Sequence, residues 1–275
     1  MSQTVLITGA SRGIGLGLVK TFLKKGFNVI ATCRNPSAAS ELNEVLKNSK
    51  QNEAVALDVA SDESVLEFGK YLESKSIVVD HLINNAGVAA KNHPHDNTDN
   101  IDRADMINQY NINVVGVAKV TDASGVLRKE NTNGKVINIS SQLGSIAKTQ
   151  SSGAFRSATY RCSKAAQNML TVCMSLQYPH ITFLMVHPGW VQTDMGGAGG
   201  RTADIGVEES ATGIYSVFSQ VLFINISPRQ LCLIVFYRRN LHSLESSWIG
   251  REMNFPSSFC IDHFSLLILK FQLKC

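Results

Sequence analysis

The chain lacks the features that mark several classes of protein. Its six cysteines form no Cys-x-x-Cys pair, so we expect neither a zinc site nor a disulfide framework. It has no long basic run, and a formal net charge of only +4 argues against nucleic acid as a partner. Its longest uninterrupted apolar run, 231–237, is far shorter than the roughly 18 residues of a membrane-spanning helix.

The sequence also lacks a recognisable export signal. Met-Ser-Gln at the N-terminus leads straight into a strand-like stretch, with no basic segment followed by an apolar one. We therefore expect a cytoplasmic protein. Charged residues make up only 17% of the 275 residues and hydrophobic ones 44%, which excludes disorder for most of the chain and allows a sizeable core.

The composition of the chain changes near residue 219. Residues 219–275 contain no alanine and one of the 20 glycines, Gly250, but six of the 12 phenylalanines. This break predicts a well-patterned domain over 1–218 and an atypical tail over 219–275. Our hypothesis is that the tail is an aberrant or disordered terminus, such as translated non-coding sequence, in which an apolar run like 264–269 favours aggregation.

Short apolar runs alternate with longer helical stretches in the first 218 residues. The runs are 4–8, 27–32, 54–59, 78–83, 135–140 and 181–187. Most are continuously apolar, which is typical of strands buried on both faces of a parallel sheet. Strands that alternate with helices predict an α/β fold, a Rossmann doubly wound parallel sheet with helices on both faces.

Two of the intervening stretches carry apolar residues at helical spacing. The first apolar face consists of Ile14, Leu18, Val19 and Phe22. The second consists of Val65, Leu66 and Leu72, with Phe68 near its edge. Ser61, followed by two acidic residues, marks the start of the second helix, because the N-terminal dipole favours negative charge there.

A glycine-rich loop follows the first predicted strand. Its glycines have the spacing Gly-x-x-x-Gly-x-Gly in Thr8-Gly9-Ala10-Ser11-Arg12-Gly13-Ile14-Gly15. A tight turn needs residues that tolerate positive φ, and a pyrophosphate needs bare backbone N–H groups at a helix N-terminus. We therefore predict a dinucleotide site rather than an ordinary glycine turn, formed by Gly9, Ser11, Arg12, Gly13, Ile14 and Gly15.

The end of the second predicted strand indicates which dinucleotide binds. An acidic residue about 20 residues past the loop would hydrogen-bond a free ribose diol. The sequence has Ala31-Thr32-Cys33-Arg34-Asn35 there, with no carboxylate. Arg34, helped by Arg12, is suited to a 2′-phosphate, which favours NADPH/NADP+ over NADH. The alternative is that both are solvated surface arginines.

Five motifs in order make the chain resemble the short-chain dehydrogenase/reductases over about residues 3–218. The loop 8–15 comes first, and Asp58 follows the third predicted strand. Next come Asn84-Asn85-Ala86-Gly87, then Ser141 ahead of Tyr160-Arg161-Cys162-Ser163-Lys164, and last His187-Pro188-Gly189-Trp190-Val191-Gln192-Thr193. Within the family the sequences of these motifs are most similar to those of the small carbonyl reductases related to sniffer and to bacterial C-factor-like proteins.

The resemblance implies further contacts to the cofactor. In the family, the aspartate at the position of Asp58 holds the adenine amino group. Thr193 would bind the nicotinamide carboxamide, unless it serves as the N-cap of a following helix. The remaining contacts implied by the motifs are Val59, Asn85, Ala86, Gly87, Pro188, Gly189, Val191, Tyr160 and Lys164.

The chemistry implied by the resemblance centres on Tyr160. Lys164 lies four residues later, on the same face of a helix, and a neighbouring ammonium favours the phenolate. Tyr160 would donate a proton to a carbonyl oxygen that Ser141 holds in line, with Ser140 as the alternative serine. Lys164 would also anchor the ribose, and the backbone carbonyl of Asn113 would bind a water that reaches toward it.

Several other features receive expectations without a role in the reaction. Tyr71 and Lys75 repeat the Tyr-x-x-x-Lys spacing, which we interpret as a coincidence on a helix surface. Residues 149–159 are expected to form a loop over the substrate, and 196–200 a mobile lid. Cys162 is expected to be a buried thiol, and His93 and His95 lack a third ligand for a metal.

Taken together, these patterns predict an NADPH-dependent reductase of aldehydes, ketones or quinones. The partner is a small-molecule carbonyl substrate, and the resemblance implies a homodimer or homotetramer. One alternative is a non-catalytic NADP(H)-binding regulatory or signalling protein of the same fold. A second alternative is a poorly folded product of a misread gene.

Overall fold

The computed structural model describes residues 2–47, 52–91 and 95–220, and the backbone of 232–236. A seven-stranded sheet has the order β3-β2-β1-β4-β5-β6-β7, and every pairing in it is parallel. The strands are β1 (Thr4–Ile7), β2 (Asn28–Cys33), β3 (Glu53–Ala56), β4 (His81–Asn84), β5 (Lys135–Ile139), β6 (Thr182–His187) and β7 (Cys232–Phe236). The predicted doubly wound α/β fold is confirmed.

Helices connect the strands and cover the sheet. They are α1 (Gly13–Lys24), α2 (Ser40–Leu46), α3 (Asp62–Ser74), α4 (Arg103–Tyr110), α5 (Gly116–Ala123), α6 (Ile146–Ser152), α7 (Ala158–Gln177) and α8 (Val207–Gln220). A π-helical segment, Asn111–Val115, joins α4 to α5. Within the described residues, no helix has the length and apolar character needed to cross a membrane.

Two apolar clusters lie on opposite faces of the sheet. Val5 and Ile7 belong to the cluster that contains residues of α1 and α8. Leu6, between them in sequence, belongs to the cluster that contains residues of α3, α5 and α7. Because successive side chains of a strand point to opposite faces, β1 is buried on both sides, as its continuous apolar sequence predicts.

The helix patterns are confirmed except at two positions of α3, where Phe68, expected near the edge, is 1% exposed and Leu66 lies in solvent. Ser61 caps α3, since its side chain accepts a hydrogen bond from the backbone N–H of Ser64. Val65, Phe68 and Leu72 are buried, but Leu66 is 58% exposed. Its expected place on the apolar face is therefore wrong, because the buried stripe of α3 follows the 65–68–72 spacing and leaves Leu66 at its solvent side.

The strand-like run 231–237 contributes β7. Cys232–Phe236 pairs in parallel with β6, from Phe183 opposite Cys232 to His187 opposite Phe236. The apolar run 264–269 lies outside the described residues. The description of 219–275 as an atypical, aberrant terminus stays a prediction.

Candidate active site

The glycine loop forms a tight turn between β1 and α1. Gly9 and Gly13 have φ of +65° and +54°, in the left-handed region that favours glycine. A Cβ atom on Gly15 would lie 2.2 Å from the carbonyl oxygen of Gly9, so only glycine lets the helix begin this close to the turn. The first turn of α1 has no side-chain cap and no acidic residue. Its free N–H groups therefore suit an anion such as a pyrophosphate.

Side-chain hydrogen bonds fix this turn to the loop that follows β4. Thr8 Oγ1 accepts from the backbone N–H groups of Asn85 and Ala86, both at 3.0 Å. Asn85 Nδ2 donates to the carbonyl oxygens of Thr8 and Gly9, at 2.9 and 3.1 Å. The order of the strands reverses between β1 and β4, and ligands of doubly wound sheets bind outside the carboxyl ends of the strands at such a point.

The arginines expected at the adenosine end are on the surface. Arg34 is exposed directly after β2. Arg12 is paired with Asp194, with an N–O distance of 2.8 Å and both side chains more than three-quarters exposed. Arg12 therefore spans from the glycine loop to the segment after Thr193, an ion pair that the sequence patterns did not predict.

Asp58 and Val59 form the next wall of the same crevice, after β3. Asp58 Oδ1 accepts from the backbone N–H of Ala60 at 3.0 Å, and the Asp58 N–H donates to Ser64 Oγ at 2.9 Å. A Cβ on Gly116 would lie 2.7 Å from the Val59 carbonyl oxygen, so α5 begins in direct contact with this loop.

Ser141, Tyr160 and Lys164 converge at the carboxyl end of β5. Ser141 begins the turn after that strand, and a hydrogen bond joins its side chain to the Tyr160 hydroxyl. The Lys164 Nζ lies 5.7 Å from the centroid of the Tyr160 ring. Ser140, the alternative serine, donates instead to Asn168 Oδ1 at 2.6 Å and is buried.

Burial dominates the acid–base properties of these groups. It raises the pKa of Tyr160 to about 12, while the hydrogen bond with Ser141 acts in the opposite direction. It lowers the pKa of Lys164 to about 7. The net shift of the Tyr160 pKa is upward because desolvation of the phenolate dominates it. The expected effect of the Lys164 ammonium on that pKa stays a prediction.

Asn113 occupies the centre of the π-helical segment beside Lys164. Its Nδ2 donates to the Val88 carbonyl at 2.8 Å and to Ser163 Oγ at 3.0 Å, and its Oδ1 accepts from the Val88 N–H at 2.9 Å. A Cβ on Gly87 would lie 3.2 Å from Asn113 Oδ1 and 3.7 Å from Lys164 Nζ. The loop after β4 thus passes between the two side chains, and π-helical turns of this kind are frequent at functional sites.

The segment after β6 faces the glycine loop. A Cβ on Gly13 would lie 3.3 Å from Thr193 Cγ2, and Gly189 has φ of +89°. Thr193 Oγ1 accepts a hydrogen bond from the Gly196 N–H at 3.2 Å. This bond has the geometry of a cap for the following turn, which was the alternative role given to Thr193. The Pro188 carbonyl accepts from Ser210 Oγ at 2.7 Å and Val191 is buried, so α8 holds this segment in place.

Three further expectations need correction or refinement. Cys162 is exposed, so its expected burial is wrong: it faces away from the side of α7 that carries Lys164. The expected loop 149–159 is partly helical, since α6 extends to Ser152 and α7 begins at Ala158.

Tyr71 hydrogen-bonds Glu53 on the neighbouring β3, consistent with a structural Tyr-x-x-x-Lys pair. His93 lies outside the described residues.

Two buried polar residues at the site escaped the sequence patterns. Asp96 Oδ2 accepts from the backbone N–H of Thr159 at 3.0 Å and from its hydroxyl at 2.8 Å, one residue before Tyr160. Gln167 Oε1 accepts from Lys164 Nζ at 2.8 Å. Asp96 carries no local signal, whereas Gln167 is a polar residue at a core-facing helix position, three after Lys164.

Comparison with known proteins agrees with this geometry. The sequence model described as short chain dehydrogenase matches residues 3–203. The chain belongs to this family. The chain is similar to the NADPH-dependent pterin aldehyde reductase of Arabidopsis thaliana, with 30% identity over 195 residues, which are 70% of this chain and 77% of that protein.

Solved structures of the family are similar over nearly their whole length. The NADPH-bound carbonyl reductase from chicken fatty liver has 33% identity and a TM-score of 0.73, covering 86% of this chain and 96% of that one. The carbonyl reductase Sniffer of D. melanogaster has 29% identity and a TM-score of 0.74, covering 86% and 97%. The predicted family, its sniffer-like relatives and the oxidoreductase class are thereby confirmed.

Proposed function

We propose that the protein reduces the carbonyl group of an aldehyde, ketone or quinone to an alcohol, with NADPH as the reductant. The observation that carries the proposal is the hydrogen bond between the Tyr160 and Ser141 hydroxyls, with Lys164 beside the Tyr160 ring. The pair lies at the carboxyl end of β5, at the same edge of the sheet as the glycine loop.

The residues at this edge fit a dinucleotide phosphate. A Cβ on Gly9 would lie 2.9 Å from Ala86 Cα and one on Gly15 2.2 Å from the Gly9 carbonyl oxygen, so glycine keeps the turn tight against the start of α1. The uncapped start of α1 offers N–H donors to phosphate oxygens. Arg34 and Arg12 would bind the 2′-phosphate, in which case Arg12 exchanges Asp194 for the phosphate. The chicken carbonyl reductase structure has NADPH bound, and the Arabidopsis relative is an NADPH-dependent reductase, which supports the same choice of cofactor.

The reaction follows from the protonation states of the site. NADPH held at the glycine loop would supply a hydride to the carbonyl carbon, and negative charge would develop on the oxygen. Ser141 donates a hydrogen bond to that oxygen and holds it beside Tyr160. Because burial keeps Tyr160 a neutral phenol, its proton is available to the oxygen, which is a stronger base as an alkoxide than the phenolate left behind.

Lys164 and Asn113 complete the proposed site. A protonated Lys164 stabilises the phenolate that Tyr160 becomes and binds the ribose of the cofactor. A water on the backbone carbonyl of Asn113 would return a proton through Lys164, at the point where the π-helical segment widens the helix. Each of these groups therefore acts on Tyr160 rather than on the carbonyl carbon.

NADPH binding and NADPH oxidation, measured together, test the proposal. We expect binding in the absence of substrate and oxidation with at least one carbonyl from a panel of aldehydes, ketones and quinones. Binding without oxidation across the panel would contradict the proposal and favour the non-catalytic alternative. Absence of both would contradict the choice of cofactor as well, and NADH in the same assay would show whether the 2′-phosphate is the reason.

A further inference from the structure

Gln167 is a buried amide in contact with the lysine of the proposed site. It is 1% exposed and lies on the face of α7 that also carries Lys164 and Thr171. Among the described residues, its Oε1 is the side-chain oxygen that accepts a hydrogen bond from Lys164 Nζ, at 2.8 Å. An amide buried at a core position is costly unless it is bonded, so its presence needs a specific reason.

Lys164 Nζ has a second acceptor on the neighbouring strand. It donates to the backbone carbonyl of Ile139, at the end of β5, also at 2.8 Å. An ammonium has three N–H donors in a fixed tetrahedral arrangement, so two bonded donors determine the direction of the third. Gln167 and Ile139 together therefore orient the remaining N–H.

The backbone of Gln167 is itself held in place. Thr171 Oγ1 donates to the Gln167 carbonyl at 2.8 Å and accepts from Asn138 Nδ2, also at 2.8 Å. Asn138 precedes Ile139 on β5, so both acceptors of Lys164 depend on one contact between α7 and that strand. These hydrogen bonds hold both acceptors in place. A side-chain substitution can remove the Gln167 acceptor, whereas the Ile139 acceptor is a backbone carbonyl that no substitution removes.

We propose that Gln167 is a positioning residue, whose amide oxygen holds the Lys164 ammonium on the Ile139 carbonyl and stabilises its charged form. The inference rests on the proposed function, since it assigns Gln167 a role through Lys164. The third N–H of Lys164 is then left for the ribose, and the charge of the ammonium acts on the Tyr160 phenolate through space.

The groups described around Lys164 besides Gln167 carry no charge that would mask a change in its hydrogen bonding. The titratable neighbour on its own helix is Tyr160, whose burial favours the neutral form. β5 presents the Ile139 carbonyl, the loop after β4 presents Gly87, and the π-helical segment presents Asn113, all uncharged. Burial lowers the pKa of Lys164 to about 7, so a lost or strengthened acceptor changes its charge within the physiological range.

Two substitutions of Gln167 act in opposite directions. Gln167→Met keeps the length of the side chain and removes the acceptor, and Gln167→Glu replaces the acceptor with a carboxylate. Gln109→Met is the matched control, because Gln109 is an equally buried glutamine that bonds Thr159 rather than Lys164. All three are made in the full chain, and thermal unfolding shows whether each variant folds.

The test is NMR titration of lysine side chains in the cofactor-free protein, with Lys164→Met to assign the signal. We expect the Lys164 pKa to fall by about one unit in Gln167→Met, to rise by about one unit in Gln167→Glu, and to stay unchanged in Gln109→Met. An unchanged pKa in both Gln167 variants would overturn the proposal. If Gln167→Met does not fold, Gln167→Glu alone tests the proposal. A carboxylate at this position raises the Lys164 pKa if it faces the ammonium, and an unchanged Lys164 pKa would overturn the proposal.

The pH dependence of NADPH oxidation separates this inference from the proposed function. The titration needs neither cofactor nor substrate, so it remains valid if the protein reduces no carbonyl. If Lys164 acts as a cation, kcat/KM declines as it loses its proton, and this decline moves to lower pH in Gln167→Met and to higher pH in Gln167→Glu. Shifted titrations with an unmoved rate profile would support the role of Gln167 and overturn that of Lys164 in the reaction.

Discussion

At the scale of single residues, the site is governed by desolvation. Burial disfavours the charged form of each group, which places the pKa of Tyr160 at about 12 and that of Lys164 at about 7. A neutral phenol is the form that a reductase needs before the hydride arrives. In the proposed mechanism the cationic form of Lys164 binds the ribose first and then stabilises the phenolate that proton transfer leaves.

Arg34 offers a residue-scale test of cofactor choice. Charge-assisted hydrogen bonds contribute roughly 1.5–3 kcal/mol, so Arg34→Ala should raise KM for NADPH by about tenfold to a hundredfold. KM for NADH should change little, because NADH lacks the phosphate. Steady-state kinetics with both cofactors measure the difference. Equal losses with the two cofactors would mean that Arg34 supports the fold of the site rather than the 2′-phosphate.

The residues that could be predicted are those whose role depends on the backbone or on fixed spacing. Gly9 to Gly15 are readable because a turn and a close approach exclude other residues, and Tyr160 and Lys164 because a helix brings positions four apart together. Asp96 and Gln167 were not readable, since their partners are chosen by tertiary contacts. Cys162 was misjudged because a small thiol fits both the exposed and the buried side of α7.

At the scale of elements, the position of Tyr160 depends on how α7 begins. Ser157 precedes the helix with φ of +61°, an uncommon conformation for serine, and makes no side-chain cap. Asp96 takes over that function from a distant loop: its backbone carbonyl accepts from the Ser157 N–H at 2.7 Å, and its carboxylate caps Thr159. The helix that carries Tyr160 is thus fixed by a residue far from it in sequence.

Asp96→Ala should therefore lower stability and activity together. Loss of a buried cap and of its hydrogen bond to a hydroxyl costs about 1–3 kcal/mol, which corresponds to a fall in Tm of several degrees. Differential scanning calorimetry measures the loss. Asp102→Ala is a matched control, because Asp102 caps α4 from an exposed position. A similar or larger fall in Tm in the control would contradict the special role of Asp96.

The existence of the helices and strands was largely predictable, but the residues at which they begin and end were not. Continuous apolar runs located the strands, since both faces of the sheet are covered. Their ends shifted by up to three residues, as in β4, which begins at His81 where the apolar run begins at residue 78. Hydrogen bonding to neighbouring strands decides where pairing stops, and a single sequence does not record it.

At the scale of the whole molecule, β7 belongs to the compositionally distinct tail 219–275 and pairs with β6 of the domain. Truncation after Gln220 removes the partner of β6, whereas truncation after residue 237 keeps β7. We expect the shorter protein to have a Tm lower by several degrees than the longer one, because an unpaired strand edge replaces a ladder of hydrogen bonds. Equal Tm values would mean that β7 contributes nothing. The homo-oligomer and the cytoplasmic location stay predictions.

Acid sensitivity is a second property of the whole molecule. Burial lowers the pKa of His81 to about 4, and burial followed by the charge of Lys148 lowers that of His187 to about 4. Both rings are neutral when folded and take up protons on unfolding, so their stabilisation is full above about pH 6.5 and is lost as the pH falls toward 4. His81→Leu should flatten the decline of Tm below pH 6.5. An unaltered slope would show that His81 does not contribute.

The role of Tyr160 rests on one comparison of rates. Single-turnover oxidation of bound NADPH by a carbonyl substrate is measured for the wild type, for Tyr160→Phe and for Tyr71→Phe, the tyrosine of the second Tyr-x-x-x-Lys pair. We expect Tyr160→Phe to bind NADPH normally and to react at least about a hundredfold more slowly, as loss of a general acid predicts, while Tyr71→Phe reacts at the wild-type rate. An undiminished rate in Tyr160→Phe would contradict the assignment of the proton donor and the mechanism built on it.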